Sequence, residues 1–216
     1  MKKKIFKLLT GMLLSCALAG STVAVQAEEA GTDTVKSYLT GEDVSVGIGH
    51  RRPIAVMLGN DTNGAPQSGT ENAGVIYEAP VEGSITRLMA IIEDYDNIPR
   101  IGSVRSCRDY FLFYANEYDA IYSHYGQAVY ALQYLDQHLI DNLNGLTLGN
   151  AYYRSTDRVA PHNAYTSWNG IMDSVAKKGY DTVYPQNFVK PFSFNEEDDK
   201  QIQIAGGETC NTFYPG

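Results

Sequence analysis

The sequence predicts an α/β domain, in which a layered sheet carries helices on its flanks. Short apolar runs have the length of buried strands, and the first of them covers 53–58. Segments with helical periodicity alternate with these runs, as they do in layered α/β domains. The span 52–190 has a normal length for one domain, so we predict a single α/β domain there.

Four further strands are predicted after the run at 53–58. They cover 75–78, 85–92, 101–104 and 120–124. The first of them follows a long loop that is rich in Gly, Asn and Pro, residues typical of turns. Polar residues gather where these strands end, which is the edge at which open α/β sheets place their sites.

Three helices are predicted, over 107–117, 128–138 and 168–178. The last is the clearest, because Ser167 can cap its start and Gly179 can end it. Its apolar residues recur at i, i+3, i+4 and i+7: Trp168, Ile171, Met172 and Val175.

Residues 1–27 have the pattern of a secretory signal peptide: a lysine-rich start, a short apolar core and a small-residue end. The apolar run is shorter than the ~20 residues of a membrane span. Two cleavage sites stay open. Cleavage after Ala27 would release a soluble chain, whereas the segment ending at Cys16 fits a lipoprotein signal, in which Cys16 is acylated. We therefore expect an extracytoplasmic protein, either lipid-anchored in the membrane or secreted.

The remaining chain divides by composition. Residues 28–51 are polar and acidic and are interpreted as a linker, and 52–190 is the predicted domain. After Pro191 an acidic segment precedes an alternating run at 201–204. We interpret 191–216 as the start of a β-rich second unit that is truncated in this chain.

Charge and cysteine content exclude some functions. The net charge is −8, and removal of the signal would also remove four lysines. Such an acidic chain argues against nucleic acid as a partner. Cys107 and Cys210 are isolated, without C-x-x-C or zinc-type spacing, so no metal site is predicted. No cofactor is identified.

Two clusters of charged residues flank predicted turns. In the first, Glu78 and Glu82 could serve as general bases or metal ligands, and Arg87 could bind an anion. The alternative is a set of ion pairs that pin a hairpin. In the second, Arg105 and Arg108 lie at a strand-to-helix turn, which suits phosphate or carboxylate. The alternative is pairing with aspartate on a solvated helix, and the glycine pattern of a P-loop is absent.

Two more clusters contain histidine. His124 ends a predicted strand, and the loop before the last helix holds Arg154, Arg158, His162 and Asn163. Two histidines at strand or loop ends favour a functional site, although a lone histidine is more often structural. No G-x-S-x-G or H-E-x-x-H motif is present, so whether the protein is an enzyme is left undecided.

Six ordered blocks resemble the YerB-like family, whose members are described as bacterial lipoproteins with a domain of unknown function. They are PIAVMLGN, APQSG, VIYEAPVEGSITRLMAII, PRIGSVRSCRDYF, YDAIYSHYG and RVAPHNAYTS, within about 52–180. The resemblance implies a cell-envelope protein with two regions, of which the N-terminal one matches here. It carries over a set of polar positions: Glu78, Glu82, Arg87, Arg105, Arg108, His124, Arg158, His162 and Asn163. Cys107 and Asp109 depart from the resemblance, which implies small or uncharged residues at these two positions.

Three functions compete. The first is a module that binds an anionic envelope component in an Arg/His-lined cleft, such as a polyprenyl phosphate, a teichoic-acid-like polymer or a peptidoglycan fragment. The second is an envelope hydrolase or transferase, with Glu78 or His124 as base and arginines stabilising charge in the transition state. The third is a structural or partner-binding lipoprotein. Structural arginines should find carboxylate partners, whereas functional ones should face an open cleft.

Overall fold

The computed structural model describes residues 33–194 and Gly206. The predicted signal peptide with Cys16, and nearly all of the predicted second unit at 191–216, lie outside these residues. The strands and helices are, in chain order, β1 (Thr34–Lys36), β2 (Asp43–Ser45), α1 (Val46–Gly49), β3 (Ile54–Gly59), β4 (Val75–Val81), β5 (Ile85–Ile92), β6 (Ile101–Gly102), α2 (Asp109–Glu117), β7 (Ile121–His124), α3 (Val129–Asp136), β8 (Asn142–Asn144), β9 (Tyr153–Arg154), β10 (Ala164–Thr166) and α4 (Trp168–Lys178).

A five-stranded mixed sheet forms the centre, in the order β4-β5-β3-β7-β8. The β4–β5 and β5–β3 pairs are antiparallel, whereas β3, β7 and β8 run parallel. β3 is the middle strand and is buried along its whole length. The carboxyl ends of three parallel strands therefore lie at one edge of the sheet.

Helices cover both faces of this sheet. Successive β3 residues point to opposite faces, so Val56 joins the apolar cluster that contains Ile171 of α4. Met57 joins a second cluster with Phe111 of α2 and Ala131 of α3. A strand that is buried on both faces has a continuous apolar sequence, which is why 53–58 was recognisable. The predicted α/β layered fold is confirmed for the described residues.

Helix α4 follows its sequence signals. The Ser167 side chain accepts a hydrogen bond from the Gly170 amide at 3.2 Å, as an N-cap residue does. Gly179 adopts a left-handed conformation with φ of 70° after the last turn, as glycine commonly does at a helix end. In the part of the chain that the structure describes, no helix is both long and apolar enough to cross a membrane.

The predicted linker over 28–51 needs correction from residue 33 onward. Residues 33–51 form β1, β2 and α1, and Leu39 is buried in the second cluster. The Ser37 hydroxyl donates to Glu93 Oε2 at 2.6 Å, and burial raises the pKa of Glu93. A buried apolar side chain and a buried polar contact help to fix the segment, whose polar composition gives little sign of its place in the domain.

A second, three-stranded antiparallel sheet has the order β6-β10-β9. The Val104 amide donates to the Ala164 carbonyl at 2.7 Å, and the Arg105 amide donates to the Met57 carbonyl at 2.9 Å. This small sheet thereby ties the 153–166 segment to the end of β3. The sequence did not predict β8, β9 or β10, which are only two or three residues long.

Candidate functional site

Three separate segments meet at the carboxyl end of β3. The Gly59 amide donates to the Ser103 carbonyl at 3.1 Å, which places the turn at 103–106 beside the strand end. The Tyr125 amide donates to the Arg105 carbonyl at 2.9 Å, which brings in the end of β7. Antiparallel pairing of β9 with β10 supplies the third segment, with Arg154. The predicted polar clusters around 105, 124 and 154–163 therefore converge.

A cavity of ≈ 370 Å³ opens between these segments. Its chemically distinctive lining residues are Arg105, Ser106, Tyr125, Gln127, Leu146 and Arg154. Pockets for small organic ligands begin at roughly 300 Å³. The space is thus large enough for a ligand rather than only a few water molecules.

Arg105 forms one wall of the cavity. Its Nη1 atom donates to the Pro161 carbonyl at 2.6 Å. Burial lowers the pKa of Arg105. The positive charges of Arg108 and Arg154 lower this pKa further, against the opposing effect of Asp61. Arg105 is therefore a partly desolvated guanidinium, influenced by one carboxylate and two guanidinium groups, and a bound anion would offset the cost of its burial.

Arg154 also lines the cavity. Its Nη1 atom donates to Asn163 Oδ1 at 2.7 Å, and its guanidinium carbon lies 5.0 Å from the centroid of the Tyr125 ring. Asn163 is itself buried and donates to the Ser155 carbonyl at 3.0 Å. Asn163 thus orients Arg154 without neutralising it, so the residue retains a net positive charge at the cavity.

Arg87 adds a third positive charge behind the cavity wall. Its Nη1 atom donates to the Ser106 carbonyl at 2.6 Å, while its Nε atom is buried without a partner among the described residues. Burial, then the charges of Arg108 and Arg105, lower the pKa of Arg87 to about 10. Arg87 holds the turn that carries Arg105 and strengthens the positive potential there.

Arg108 and Glu82 form an ion pair instead of a binding site. Arg108 Nε donates to Glu82 Oε1 at 2.9 Å and to Oε2 at 3.0 Å. The hydrogen bond from Arg108 is the main reason why the pKa of Glu82 lies below its usual range. A carboxylate with a lowered pKa is a weak base, so the geometry does not support Glu82 as a general base. The hairpin-pinning alternative fits it better.

His124 is a buried structural residue. Its Nδ1 atom lies 2.7 Å from the Gly126 carbonyl and its Nε2 atom 3.3 Å from Asn142 Oδ1. Burial lowers the pKa of His124, which favours the neutral ring. With Nδ1 hydrogen-bonded to a carbonyl and no exposed surface, the geometry does not support His124 as a catalytic base.

Glu78 lies outside the cavity, on the solvent-facing side of β4. Its Oε1 atom accepts hydrogen bonds from Asn60 Nδ2 at 2.9 Å and from the Thr86 hydroxyl. These contacts connect β4, β5 and the segment that follows β3. The arrangement favours a structural role for Glu78.

Arg158 and His162 hold the long loop that follows β3. Arg158 donates to the carbonyls of Gly64 and Pro66. His162 Nδ1 lies 3.1 Å from Asp61 Oδ1, but the two atoms do not form a hydrogen bond. The predicted site residues therefore separate into two that line the cavity, Arg105 and Arg154, and others that support it or lie apart.

Comparison with known proteins gives this domain a family. Residues 39–181 match the family described as "Protein of unknown function (DUF3048) N-terminal domain". The chain belongs to this family. Its sequence is 36% identical over 183 residues to "Putative lipoprotein YerB" of Bacillus subtilis (strain 168). The matched region covers 82% of this chain and 54% of the relative.

A crystal structure of YerB protein from Bacillus subtilis is also similar to this DUF3048 domain. The two agree with a TM-score of 0.66 and 36% identity, over 69% of this chain and 51% of that chain. The predicted YerB-like kinship is confirmed. The chain spans about half the length of the relative it matches.

Several cavity residues of this DUF3048 domain were not predicted from the sequence. Tyr125 and Gln127 flank Gly126, directly after the predicted strand that ends at His124, so their position at a strand end was an available signal. Leu146 follows a strand too short to recognise. Asp61, which does not line the cavity but affects the pKa of Arg105, was not predicted either. Its Oδ1 atom accepts a hydrogen bond from the Gly64 amide at 3.0 Å, as an Asp in a turn does.

Cys107 supports the cavity through its backbone. Its amide donates to the Gly126 carbonyl at 2.9 Å, and the Ala128 amide donates to the Cys107 carbonyl at 3.0 Å. The thiol is free and buried, and burial raises its pKa to about 12. Within residues 33–194, the structure brings together no cluster of three or more His, Cys, Asp or Glu that could hold a metal ion.

Proposed function

We propose that this protein binds an anionic component of the cell envelope in the cavity between Arg105 and Arg154. The candidate ligands are a polyprenyl phosphate, a teichoic-acid-like polymer and a peptidoglycan-derived fragment. One observation carries the proposal: among the described residues, the two arginines that line the cavity have only uncharged hydrogen-bond partners. The arginines with carboxylate partners lie elsewhere: Arg51, Arg52, Arg100 and Arg108.

The chemistry of guanidinium groups supports this choice of ligand. Arginine presents a planar set of donors that matches phosphate and carboxylate oxygens. Arg105 and Arg154 still have donors to spare, because each makes one side-chain hydrogen bond within the described residues. A cleft with one sign of charge also concentrates oppositely charged ligands. An acidic protein with a local positive cavity is therefore suited to selective anion binding.

Thermal melting of the mature chain with pyrophosphate tests the proposal. A ligand that binds only the folded state stabilises it by about 2.7 kcal/mol at a hundredfold excess over its dissociation constant. We expect pyrophosphate to raise the melting temperature of the wild type, and this shift to disappear in Arg105→Gln/Arg154→Gln. Lys36→Gln is the matched control, because it removes a charge from β1, which does not line the cavity. A shift that survives in the double variant, or no shift in the wild type, contradicts the proposal.

We infer an extracytoplasmic location from the signal-peptide pattern at 1–27 and from the name of the lipoprotein relative. Intact-mass analysis of membrane and medium fractions from an expressing bacterium separates the two forms. A lipid-modified N-terminal Cys16 defines an anchored protein, and an N-terminal Glu28 defines a secreted one. Unprocessed chain confined to the cytosol contradicts the inference.

An envelope hydrolase or transferase is the second candidate, and one contact favours it. His162 Nδ1 lies 3.1 Å from Asp61 Oδ1 without a hydrogen bond, and catalytic hydrogen bonds are often poorly aligned until a substrate binds. The carboxylate of Asp61 also raises the pKa of Arg105, against the larger effect of burial. Hydrolysis of bis(4-nitrophenyl) phosphate by the wild type, reduced at least about tenfold in both Asp61→Asn and His162→Gln, would support this role. Equal rates in all three proteins would contradict it.

A further inference from the structure

The cavity has a second, uncharged half. Besides the two guanidinium groups, the lining includes Tyr125, Gln127 and Leu146, and the Tyr125 ring centroid lies 5.0 Å from the guanidinium carbon of Arg154. Pockets of ≈ 370 Å³ hold small organic molecules. A phosphate group alone would therefore fill only part of this cavity. The lining therefore fits a ligand that carries a phosphate and a compact, partly polar body.

The polar part of this half is Gln127. Its Oε1 atom accepts a hydrogen bond from Asn144 Nδ2 at 3.0 Å. Asn144 Oδ1 in turn accepts from the Gly126 amide at 3.2 Å and from the Leu146 amide at 3.0 Å. With its oxygen engaged, Gln127 has its Nε2 donor left for a ligand acceptor such as a hydroxyl oxygen.

The apolar part is Leu146, whose side chain stays 60% exposed although its backbone is fixed by Asn144. Gly126 leaves the space beside it open. A Cβ atom at Gly126, where φ is +77°, would lie 3.3 Å from Leu146 Cδ1 and 3.6 Å from Ser106 Oγ. The glycine therefore satisfies the turn and keeps the cavity floor clear between these two side chains.

We propose that the cavity takes a sugar phosphate, with the phosphate between Arg105 and Arg154 and the sugar against Tyr125, Gln127 and Leu146. This inference rests on the proposed function and names its ligand class. A sugar ring has apolar faces and hydroxyl edges, which match an aromatic and aliphatic surface beside an amide donor. A polyprenyl chain would need a long apolar groove, and it would leave the Ser106 and Gln127 polar atoms without partners.

Isothermal titration calorimetry at fixed ionic strength tests the ligand class. The probes are inorganic phosphate, N-acetylglucosamine, N-acetylglucosamine 1-phosphate, its methyl phosphodiester and decyl phosphate. We expect the sugar phosphate to bind about tenfold more tightly than either phosphate or the neutral sugar. The methyl diester represents an internal unit of a phosphate-linked glycan, and the monoester represents a free or terminal sugar phosphate. Tighter binding of one identifies the source, and either result supports the proposal.

Two variants assign the two halves of the ligand. Leu146→Ser should lower the affinity for the sugar phosphate about fivefold and leave that for phosphate unchanged, whereas Arg154→Gln should weaken both. Val129→Ser is the control, because Val129 is an exposed aliphatic residue that does not line the cavity. Equal affinities for phosphate and sugar phosphate, or tighter binding of decyl phosphate, overturn this inference and leave the anion site standing. Failure of every phosphate to bind overturns both proposals.

Discussion

The arginines at the two ends of β3 differ in their hydrogen-bond partners. Before the strand, Arg52 is buried and bonds to carboxylate oxygens of Asp119 at 3.1 Å and Asp141 at 2.7 Å. It also donates to the backbone carbonyls of Asp119 and Asp181. After the strand, Arg105 and Arg154 donate to a carbonyl and an amide oxygen instead. One end is neutralised within the chain, and the other keeps its positive charge.

This difference separates a structural use of arginine from a ligand-binding one. A buried charge is stable only when it is paired or hydrogen-bonded, and Arg52 satisfies that requirement with two aspartates. At the other end, burial lowers the pKa of Arg87 and Arg105, and neighbouring arginines lower both further. The repulsion costs stability that an incoming anion would recover, so the open end is where binding energy is available.

Removing the charge of Arg52, at the end of β3 where arginine is paired with aspartates, should have the largest effect on stability. We expect Arg52→Gln to lower the free energy of unfolding by about 3 kcal/mol, because two aspartates lose their partner in a largely buried setting. Urea denaturation measures the change. Lys36→Gln, in an exposed pair with Asp43, should cost at most about 0.5 kcal/mol. Similar losses in the two variants would show that Arg52 is not a structural anchor.

Replacing His124 should have the next largest effect. We expect His124→Ala to lower the free energy of unfolding by about 2 kcal/mol, because it removes the buried hydrogen bond to the Gly126 carbonyl and leaves a cavity. The folded-state pKa of His124 lies below its usual 6.5, so the unfolded chain takes up the proton first. The wild type should therefore lose stability as pH falls below about 6.5. His124→Ala should lack this part of the pH dependence, as urea denaturation between pH 5 and pH 8 would reveal. An unchanged pH profile would show that His124 has the same pKa in the folded and unfolded chain, which contradicts the effect of burial.

Arg158→Gln should cost less, about 1.5 kcal/mol, from the hydrogen bonds to the carbonyls of Gly64 and Pro66. Because Arg158 secures a loop and does not line the cavity, we expect pyrophosphate still to raise the melting temperature of this variant. Calorimetric melting with and without pyrophosphate measures both effects. Loss of the ligand shift without loss of stability would move Arg158 into the binding site.

Glu82→Gln should have the smallest effect, below about 1 kcal/mol at pH 7, since the Glu82 side chain is 65% exposed and its pair is screened by solvent. The folded-state pKa of Glu82 is lowered, so its stabilisation exists above the ordinary value of 4.5 and disappears as pH falls through the folded-state value. Wild type and Glu82→Gln should therefore converge in acid. A gap that does not narrow as pH falls below 4.5 would contradict the ion-pair assignment.

Sequence patterns were sufficient for the layered fold, because long apolar runs and helical periodicity mark β3, β5 and α4 directly. They were insufficient for the short strands β8–β10, whose two or three residues give no usable period. The arginines of the cavity were recognised by residue type and turn position. Which of them pair with carboxylates depends on contacts between distant segments, such as Arg108 with Glu82, and no local pattern records such contacts.

The labelling rate of the buried Cys107 thiol can report how often the surrounding structure opens. With a pKa of about 12, roughly one molecule in 100,000 carries the reactive thiolate at pH 7. Alkylating reagents and oxidants therefore react with Cys107 only when the segment 105–127, which we call the cavity wall, opens and exposes the thiol. The rate at which the peptide containing Cys107 acquires a label then measures how often this wall opens, and a ligand that closes the cavity should slow it.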